Sequence, residues 1–337
     1  VAVGLGRRVV LTGAGVAIAA LLLGYLVPSF VPDQYYMGIV VDGVVLGILA
    51  IGIGFLAHRC GLISLGHTAF YGFSAYALAA ATTHWGWGPT QAVVFSLIGG
   101  TLLAVAIGAL VIRTPGMGFL MLTLAFGQAL YALSIQTSMR NVTGAFDGLP
   151  VTYGADQTFL GLSAAELGAA DTFWPIAWTC LVLVAFGLWI VGRSRFGIVL
   201  EAIRENEERA RFSGFNTYLP RLAAFAISGG CASLAGVLFA LRANFVSPDT
   251  LNFVTAGDSL VAAIVGGFAV LIGPVVGGLL YIYAQGQFSD GGNLQLYTGA
   301  ALILVVVFLP GGVTGFAVRQ FSRVASRLPS RKRRSKS

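Results

Sequence analysis

The sequence predicts an all-α integral membrane protein of about ten transmembrane helices, some of them short or discontinuous, with both termini cytoplasmic. Two features of the composition support this fold class. The 337 residues are 57% hydrophobic and only 10% charged, whereas soluble domains carry roughly 25% charged residues. Glycine occurs 46 times, and glycine is more frequent in membrane helices than in soluble ones. A soluble domain of this composition would have almost no charged surface, which argues against a soluble enzyme.

Apolar windows place the predicted spans, each near the roughly 20 residues that a bilayer crossing requires. The first span follows Arg7 and Arg8 and also resembles an export signal, but no small-residue cleavage site follows it, which favours a retained span. Several spans are short or rich in Gly and Pro, which is tolerated only where the backbone faces protein or a wet cavity. The predicted spans are 9–28, 36–57, 67–83, 90–112, 117–136, 173–192, 218–242, 256–271, 274–288 and 294–310.

The distribution of Arg and Lys sets the predicted orientation. With both ends cytoplasmic, the inner segments hold 18 of the 20 basic residues, and only Arg140 and Arg242 fall elsewhere. An excess of basic residues in cytoplasmic loops is the pattern that orients membrane proteins. An odd number of spans would destroy this segregation, so ten spans fit best.

The chain divides into a membrane domain over residues 1–318 and a basic cytoplasmic tail over 319–337. We expect the tail to contact anionic lipid headgroups rather than nucleic acid. The membrane domain has a long, net acidic outer loop at 137–172 and a long inner loop at 193–221.

The inner loop contains a charged segment, Glu201–Ser213, whose residues favour helix. Gly214 follows it as a plausible C-cap. This predicted amphipathic helix is too polar to enter lipid, so it must lie on the cytoplasmic surface, either solvated or docked to a partner protein.

The segment Gly61–Gly72 is a candidate substrate site. Its glycines flank Ser64, His67 and Thr68, and glycine allows the backbone to leave the helix and expose its amides and carbonyls. Discontinuous helices of this kind form substrate sites in transporters. Tight helix packing around small residues is an equally good interpretation, and an isolated His67 is more often a hydrogen-bonded interior residue.

These segments resemble the permease subunits of branched-chain amino acid ABC transporters. Gly61–Gly72 is similar to a signature of that family, and the resemblance covers roughly residues 36–315, on the side of the M-type rather than the H-type subunit. The chain departs from the family pattern at Gln128 and Asp258, where glutamate is expected or common, which leaves the substrate open. The other matching elements, in order, are Leu122–Gly127, Thr143–Gly148, Ala202–Glu207, Phe245–Pro248, Gly266–Gly267 and Ile272–Pro274.

The resemblance implies one half of a heterodimeric importer pore in the bacterial plasma (inner) membrane. The implied partners are a paralogous H-type permease, two cytoplasmic ATPase subunits and an extracytoplasmic substrate-binding protein, besides membrane lipids. The implied substrates are branched-chain or other hydrophobic amino acids, with urea, short amides and small carboxylates as alternatives. The chain itself has no Gly-x-x-x-x-Gly-Lys-Ser/Thr phosphate loop. We therefore expect it to bind no cofactor, with ATP hydrolysed by the partner subunits.

Three groups of residues are the candidates for function, and none of them is catalytic or metal-ligating. The predicted substrate pathway comprises Ser64, Gly66, His67, Thr68, Phe70, Thr123, Phe126, Gln128 and Asp258. The predicted outer-loop turn comprises Thr143, Gly144, Asp147 and Gly148. The predicted ATPase-coupling residues are Glu201, Ala202, Arg204, Glu205, Asn206, Glu207 and Gly214.

An ion-coupled secondary transporter or channel is the alternative of a different class, and a membrane scaffold is a third. An ion-coupled carrier needs titratable groups near the middle of the membrane, and intramembrane carboxylates are functional candidates by default. The acids inside the predicted spans are Asp42 and Asp258, and both lie close to the outer boundary. This placement counts against ion coupling and leaves the roles of the two acids open.

Overall fold

The computed structural model describes residues 7–154, 156–288, 296–297, 299–300, 303–304, 308 and 311–327. Among these residues, six helices are long and apolar enough to cross a membrane. They confirm the predicted all-α membrane class. These helices are Val9–Phe30, Gln34–Cys60, Pro89–Val111, Gly116–Ser134, Ala170–Arg193 and Tyr218–Ala243.

Shorter elements connect and extend these spans. Strands β1, Leu149–Pro150, and β2, Phe245–Val246, form a two-stranded antiparallel pair in which Leu149 faces Val246. The helices are α1 Arg7–Gly24, α2 Val27–Phe30, α3 Gln34–Cys60, α4 His67–Thr83, α5 Pro89–Val111, α6 Gly116–Ser134, α7 Arg140–Thr143, α8 Ala164–Gly168, α9 Ala170–Arg193, α10 Arg195–Glu205, α11 Glu207–Phe212, α12 Tyr218–Ala243, α13 Phe253–Gly266, α14 Gly273–Phe288 and α15 Gly312–Arg327.

The predicted spans follow these helices closely, with one clear difference. The span predicted at 256–271 ends as α13 at Gly266, because Gly267 takes a φ of +93° and turns the chain. The span predicted at 294–310 falls largely outside the described residues. The predicted boundary between membrane domain and tail, at 318/319, lies inside helix α15.

Helix α3 is the centre of the fold, and most of its length is buried. It begins at Asp33, whose side chain accepts a hydrogen bond from the Tyr35 amide, and it packs against α9, α12, α13 and α14. The closest approach is to α14, where a Cβ added at Gly278 would lie 2.8 Å from the Gly47 amide nitrogen. Lipid tails are as apolar as the side chains of the helices, so the hydrophobic effect does not drive membrane helices together. They associate instead through close packing of small residues, as here.

Helix α12 packs in the same way against α4 and α5. A Cβ added at Gly236 would lie 2.0 Å from the Tyr71 carbonyl oxygen of α4. Gly100 of α5 fits against the Ser74 and Ser233 side chains. The bundle around α3 is therefore held by backbone contacts that leave no room for side chains.

Each of the two acids in the spans contacts a neighbouring helix of this chain. The Asp42 carboxylate lies 3.4 Å from Nε of Arg242, so it joins α3 to α12. Arg242 also donates through Nη1 to the Gly168 carbonyl at 2.5 Å. Asp258 of α13 accepts a hydrogen bond from the Tyr281 hydroxyl of α14. Both acids are tied to neighbouring helices of this chain.

We expect Gly236→Ala to destabilise the protein by about 1–3 kcal/mol, because the added methyl group would press on the Tyr71 carbonyl and overpacking costs about this much. The matched control is Gly230→Ala in the same helix, where the nearest atom is Thr101 Oγ1 at 3.5 Å. Thermal unfolding of the purified protein in detergent measures both variants. Equal melting temperatures for the two would contradict this packing.

Candidate transport path and coupling surface

The segment Gly61–Gly72 joins the central helix to α4 through a break in the backbone. Gly61 ends α3 with a φ of +67°, in the left-handed region that favours glycine. The Ser64 hydroxyl oxygen then accepts a hydrogen bond from the Gly66 amide at 3.1 Å, and α4 begins at His67. The first half of the segment, Gly61–Gly66, thus forms a short turn between two helices, and its second half is the beginning of α4.

Gly66 brings together the two stretches that form the predicted pathway. A Cβ added at Gly66 would lie 2.7 Å from the carbonyl oxygen of Thr123, in α6. The turn therefore rests directly on the backbone of α6. Any movement of this turn must displace α6 or open a gap against it.

His67 lies in a buried hydrogen-bond network. Its Nε2 is 2.5 Å from Ser228 Oγ, and the Ser228 hydroxyl lies 2.7 Å from the Gly52 carbonyl, to which it donates. A hydroxyl has one proton, so His67 must donate through Nε2. Its ring meets Phe70 and Phe225 edge-on at centroid distances of 6.0 and 5.9 Å. The arrangement is that of a packed, hydrogen-bonded interior histidine.

The predicted pathway residues divide by exposure. One group is packed inside the chain with at most 1% of the residue surface exposed: Ser64, His67, Thr68, Phe70 and Thr123. Phe126, Gln128 and Asp258 are half-buried. In this conformation only the second group can meet a solute.

Sequence reasoning missed the outward face of α6. Met117 and Met121 are exposed and lie one helical turn apart, and Gln128 falls on the same side two turns further along. The signal was available, since these residues follow the 3.6-residue period of a helix with an apolar stripe. This face carries two flexible thioethers and a single uncharged amide.

The inner loop forms two helices rather than the single helix expected over Glu201–Ser213. Asn206 takes an extended backbone conformation between α10 and α11, and its side chain accepts a hydrogen bond from the Arg209 amide at 2.8 Å. Asparagine is among the strongest N-cap residues, and here its cap starts a new helix. Ser213 is the C-cap of α11, and the predicted Gly214 follows it with a φ of +84°, the left-handed conformation in which glycine commonly ends a helix.

This loop contacts the end of α3 at three points. Arg204 donates through Nη1 to the His58 carbonyl, and its Cγ lies 3.3 Å from where a Cβ of Gly61 would stand. Glu201 lies 3.4 Å from Nη1 of Arg59. Two motifs far apart in sequence, the Gly61–Gly72 turn and the Ala202–Glu207 segment, are thus adjacent.

Glu207 joins the same loop to α12. Its carboxylate accepts from the buried Arg221 at 2.7 Å, from Arg211 at 2.9 Å and from the Thr217 hydroxyl at 3.2 Å. The Arg221 side chain is buried and that of Glu207 is one third exposed, and removing one partner of a pair leaves the buried charge unpaired. Glu207 therefore holds the loop to the bundle, and its carboxylate is already occupied within the chain.

The surface that the loop leaves free is partly apolar. Ala202 and Glu205 are exposed and line a hollow of about 250 Å³ between α10 and α11. Phe212, at the end of α11, is 91% exposed. Sequence reasoning missed this phenylalanine, although an aromatic residue in so polar a segment was a visible signal.

The outer-loop residues form a compact turn at the other end of the bundle. The Thr143 hydroxyl donates to the Ser134 carbonyl at 2.7 Å, and Asp147 pairs with Arg140 at 2.8 Å on the surface. Gly144 and Gly148 have positive φ and pack so closely that a Cβ on Gly144 would lie 1.8 Å from the Gly148 carbonyl oxygen. The turn leads directly into the β1–β2 pair.

The family of the chain follows from a comparison with known proteins. Residues 35–313 match the family described as "Branched-chain amino acid transport system / permease component". The chain belongs to this family. It is a permease subunit of an ABC transporter and a multi-pass protein of the bacterial inner membrane, and the resemblance suggested by the sequence motifs is confirmed.

Several curated permeases are similar to this chain. The branched-chain amino acid permease LivM of Escherichia coli is 25% identical over 285 residues, which cover 79% of this chain and 67% of LivM. The inner membrane ABC permease YjfF of the same organism is 26% identical over 309 residues, or 87% of this chain and 89% of YjfF. The autoinducer 2 import permease LsrC of Salmonella typhimurium is 31% identical over 134 residues, covering 39% of this chain and 35% of LsrC. No solved structure matches the chain.

Single cysteines at the predicted pathway residues will report which of them a solute can reach. We expect Gln128→Cys to react with a hydrophilic maleimide in membranes, because Gln128 lies on the outward face of α6. We expect Ser64→Cys to resist labelling without ATP, because Ser64 is fully buried. The background protein has Cys60, Cys180 and Cys231 replaced by serine or alanine.

The same labelling during ATP turnover tests a lining role for the buried group. If Ser64→Cys reacts with the maleimide only during ATP turnover, the result would support a place for Ser64 on the pathway. Ser64→Cys that stays unreactive in every state would limit Ser64 to packing.

Proposed function

We propose that this chain is one half of the pore of an importer for branched-chain or other hydrophobic amino acids. The observation that carries the proposal is the contact between Arg204 and the end of α3, which ties the inner loop to the Gly61–Gly72 turn. The similarity to LivM over most of the chain supports the substrate class. The outward face of α6 also suits this substrate class. Its apolar residues can contact the apolar side chain of an amino acid, and the face carries one amide and no fixed charge.

The proposed orientation places ten spans in the membrane with both termini and the inner loop in the cytoplasm. Basic residues of distant segments gather at one end of the bundle, where Arg59 meets Glu201, Arg221 meets Glu207, and Arg113 stacks on the Tyr218 ring at 5.1 Å. A basic end is the cytoplasmic end by the positive-inside rule. The outer-loop turn and the Asp42–Arg242 pair then lie at the extracytoplasmic end.

The proposed coupling has two parts, docking and transmission. Docking is by the free surface of the inner loop, where Ala202, Glu205 and Phe212 can enter a groove of an ATPase subunit. Transmission is by Arg204, because a push on α10 reaches the His58 carbonyl and Gly61 at once. Gly61 begins the turn in which Gly66 rests on α6, so the movement arrives at the helix that carries Gln128.

The proposed path runs along the outward face of α6, with Gln128 as the polar group on it. Phe126 and Asp258 are half-buried beside this face, Phe126 on the side of α6 that packs against the core and Asp258 on α13. Ser64, Gly66, His67, Thr68, Phe70 and Thr123 support it from behind, and they reach the solute only if the turn opens. The outer-loop turn at Thr143–Gly148 lies on the extracytoplasmic side, from which a substrate-binding protein delivers the substrate.

Two ATPase subunits and a second permease complete the proposed assembly. The chain has one inner loop of the 193–221 kind, so one copy engages one ATPase. An H-type paralogue would supply the other half of the pore. ATP is then hydrolysed by the partner subunits, and this chain performs no covalent chemistry.

The substrate class is tested by uptake into proteoliposomes that hold the complete transporter. We expect ATP-dependent accumulation of labelled leucine, with competition by unlabelled isoleucine and valine and none by urea, acetamide or glutamate. Competition by urea or acetamide instead would assign the alternative substrates. Accumulation driven by a proton or sodium gradient without ATP would contradict the importer class.

The docking surface is tested by a matched pair of exposed phenylalanines at opposite ends of the bundle. Phe212 in the inner loop is 91% exposed and Phe146 in the outer turn is 73% exposed. We expect Phe212→Ser to weaken co-purification of the ATPase subunits about thirty-fold, since loss of an aromatic anchor typically costs 2 kcal/mol or more. Phe146→Ser should leave ATPase binding unchanged.

Loss of ATPase binding in Phe146→Ser but not in Phe212→Ser would invert the proposed orientation, because only the cytoplasmic end can meet an ATPase.

The Arg204→Gln variant separates docking from transmission. It removes the bond to the His58 carbonyl but none of the exposed docking residues, so the ATPase subunits should remain bound while uptake is lost. Full uptake in Arg204→Gln would refute the transmission route.

A further inference from the structure

A large hollow lies beside the central helix, apart from the proposed path and docking surface. It encloses about 740 Å³ between α1, α3, α9 and the turn that joins α13 to α14. Helix α1 leans on α9, where the indole nitrogens of Trp174 and Trp178 donate to the carbonyls of Gly24 and Ala20 at 2.8 and 3.1 Å. Because α1 packs mainly against α9, a slot remains between α1 and α3.

The length of the hollow matches one leaflet of a bilayer. On α1 its lining runs from Val9 to Ala20, and on α9 the apolar part of the lining runs from Trp178 to Trp189, before Arg193 at the end of the helix. Eleven helical steps at about 1.5 Å each give roughly 16 Å, which is about half of a hydrocarbon core of roughly 30 Å. The walls along this length are apolar, among them Val16, Ala17, Phe55, Leu181, Ala185 and Phe186.

The mouth of the hollow is basic. Arg59 and Arg193 line it where α3 and α9 end. The Arg193 guanidinium is exposed and stacks on the Trp189 ring at 4.8 Å. Among the described residues, the one acidic neighbour of Arg59 is Glu201, 3.4 Å away, and the Glu201 side chain is 55% exposed, so solvent screens this pair.

We propose that this hollow binds one anionic phospholipid of the inner leaflet. An acyl chain lies between α1 and α3, and the phosphate meets Arg193 and Arg59 at the mouth. Basic pockets between membrane helices on the cytoplasmic side are suited to anionic headgroups. The assignment rests on the proposed orientation, in which the end of α3 faces the cytoplasm.

The bound lipid would fill the space between α1 and the rest of the bundle. Its acyl chain supplies the packing that α1 lacks on the side facing α3. Its phosphate shares Arg59 with Glu201 of the coupling segment, so the lipid stands next to the contact through which α10 reaches α3.

The test measures binding of phosphatidylglycerol to the purified transporter by native mass spectrometry, with phosphatidylcholine as the neutral competitor. We expect phosphatidylglycerol to be retained preferentially. The double variant Arg59→Gln/Arg193→Gln should bind it about thirty-fold more weakly, since each basic residue near a membrane surface contributes about 1 kcal/mol. Arg113→Gln, at the same end but outside the hollow, should retain it.

A second variant separates the slot from the surface charge. Ala17→Trp fills the hollow without changing any charge, and it should abolish retention of phosphatidylglycerol while the protein stays folded by melting temperature. Unchanged retention in both variants would overturn the site and would leave the uptake experiment on leucine unaffected.

A photo-reactive benzophenone attached to Ala17→Cys identifies the occupant directly. The adduct should carry the mass of a phospholipid. An adduct with residues 289–310 of this chain or with the paralogous permease would show that protein fills the hollow, and the lipid proposal would fall.

Discussion

The hydrogen bond from Arg204 to the His58 carbonyl is the contact on which the proposed coupling depends. The last carbonyls of a helix have no partner within it, and those of α3 end beside a buried, apolar bundle. A cationic donor satisfies one of them and complements the negative end of the helix dipole. Because most of α3 is buried, the donor holds the inner loop to a tightly packed part of the chain.

Close packing of glycines makes that centre stiff. Where Gly278 meets Gly47 and Gly236 meets Tyr71, backbones touch with no side chain between them. Packed interiors transmit displacement because they have few voids to absorb it. A displacement of Gly61 is therefore transmitted to Gly66 and to the backbone of α6, because few voids lie between them to absorb it. The exposed face of α6, in contrast, packs against no described helix and is free to move.

The sequence predicted the membrane helices well because their signal is strong and local. A run of apolar residues such as 36–57 can only be a span, and α3 was found within three residues at each end. The helix end at Gly214 was also predictable, since glycine relieves the left-handed conformation there. Asn206 was misjudged because its helix propensity says nothing about whether its side chain caps a new helix.

Burial within the bundle could not be predicted from local pattern. Ser64, Thr68 and Thr123 are small and polar, and such residues suit both a solute path and a helix interface. The choice between the two depends on which helix stands opposite, and only the fold places Thr123 against Gly66. The same holds for Asp42, whose partner Arg242 is 200 residues away in sequence but 3.4 Å away in space. Neither segment alone has a sequence pattern that predicts such a long-range pair.

The distribution of exposed apolar surface argues that the chain is built to stand beside another protein on one side and lipid on the other. Helix α1 has almost no buried residues and is purely apolar along its middle, as a lipid-facing helix should be. Helix α6 also has few buried residues, yet it carries Gln128 on its outward face. Facing lipid, that amide would have no hydrogen-bond partner, and an unsatisfied polar group in hydrocarbon costs several kcal/mol. A second permease enclosing a wet path would give the amide its partners, so we propose that the pore is completed on the side of the chain marked by Gln128.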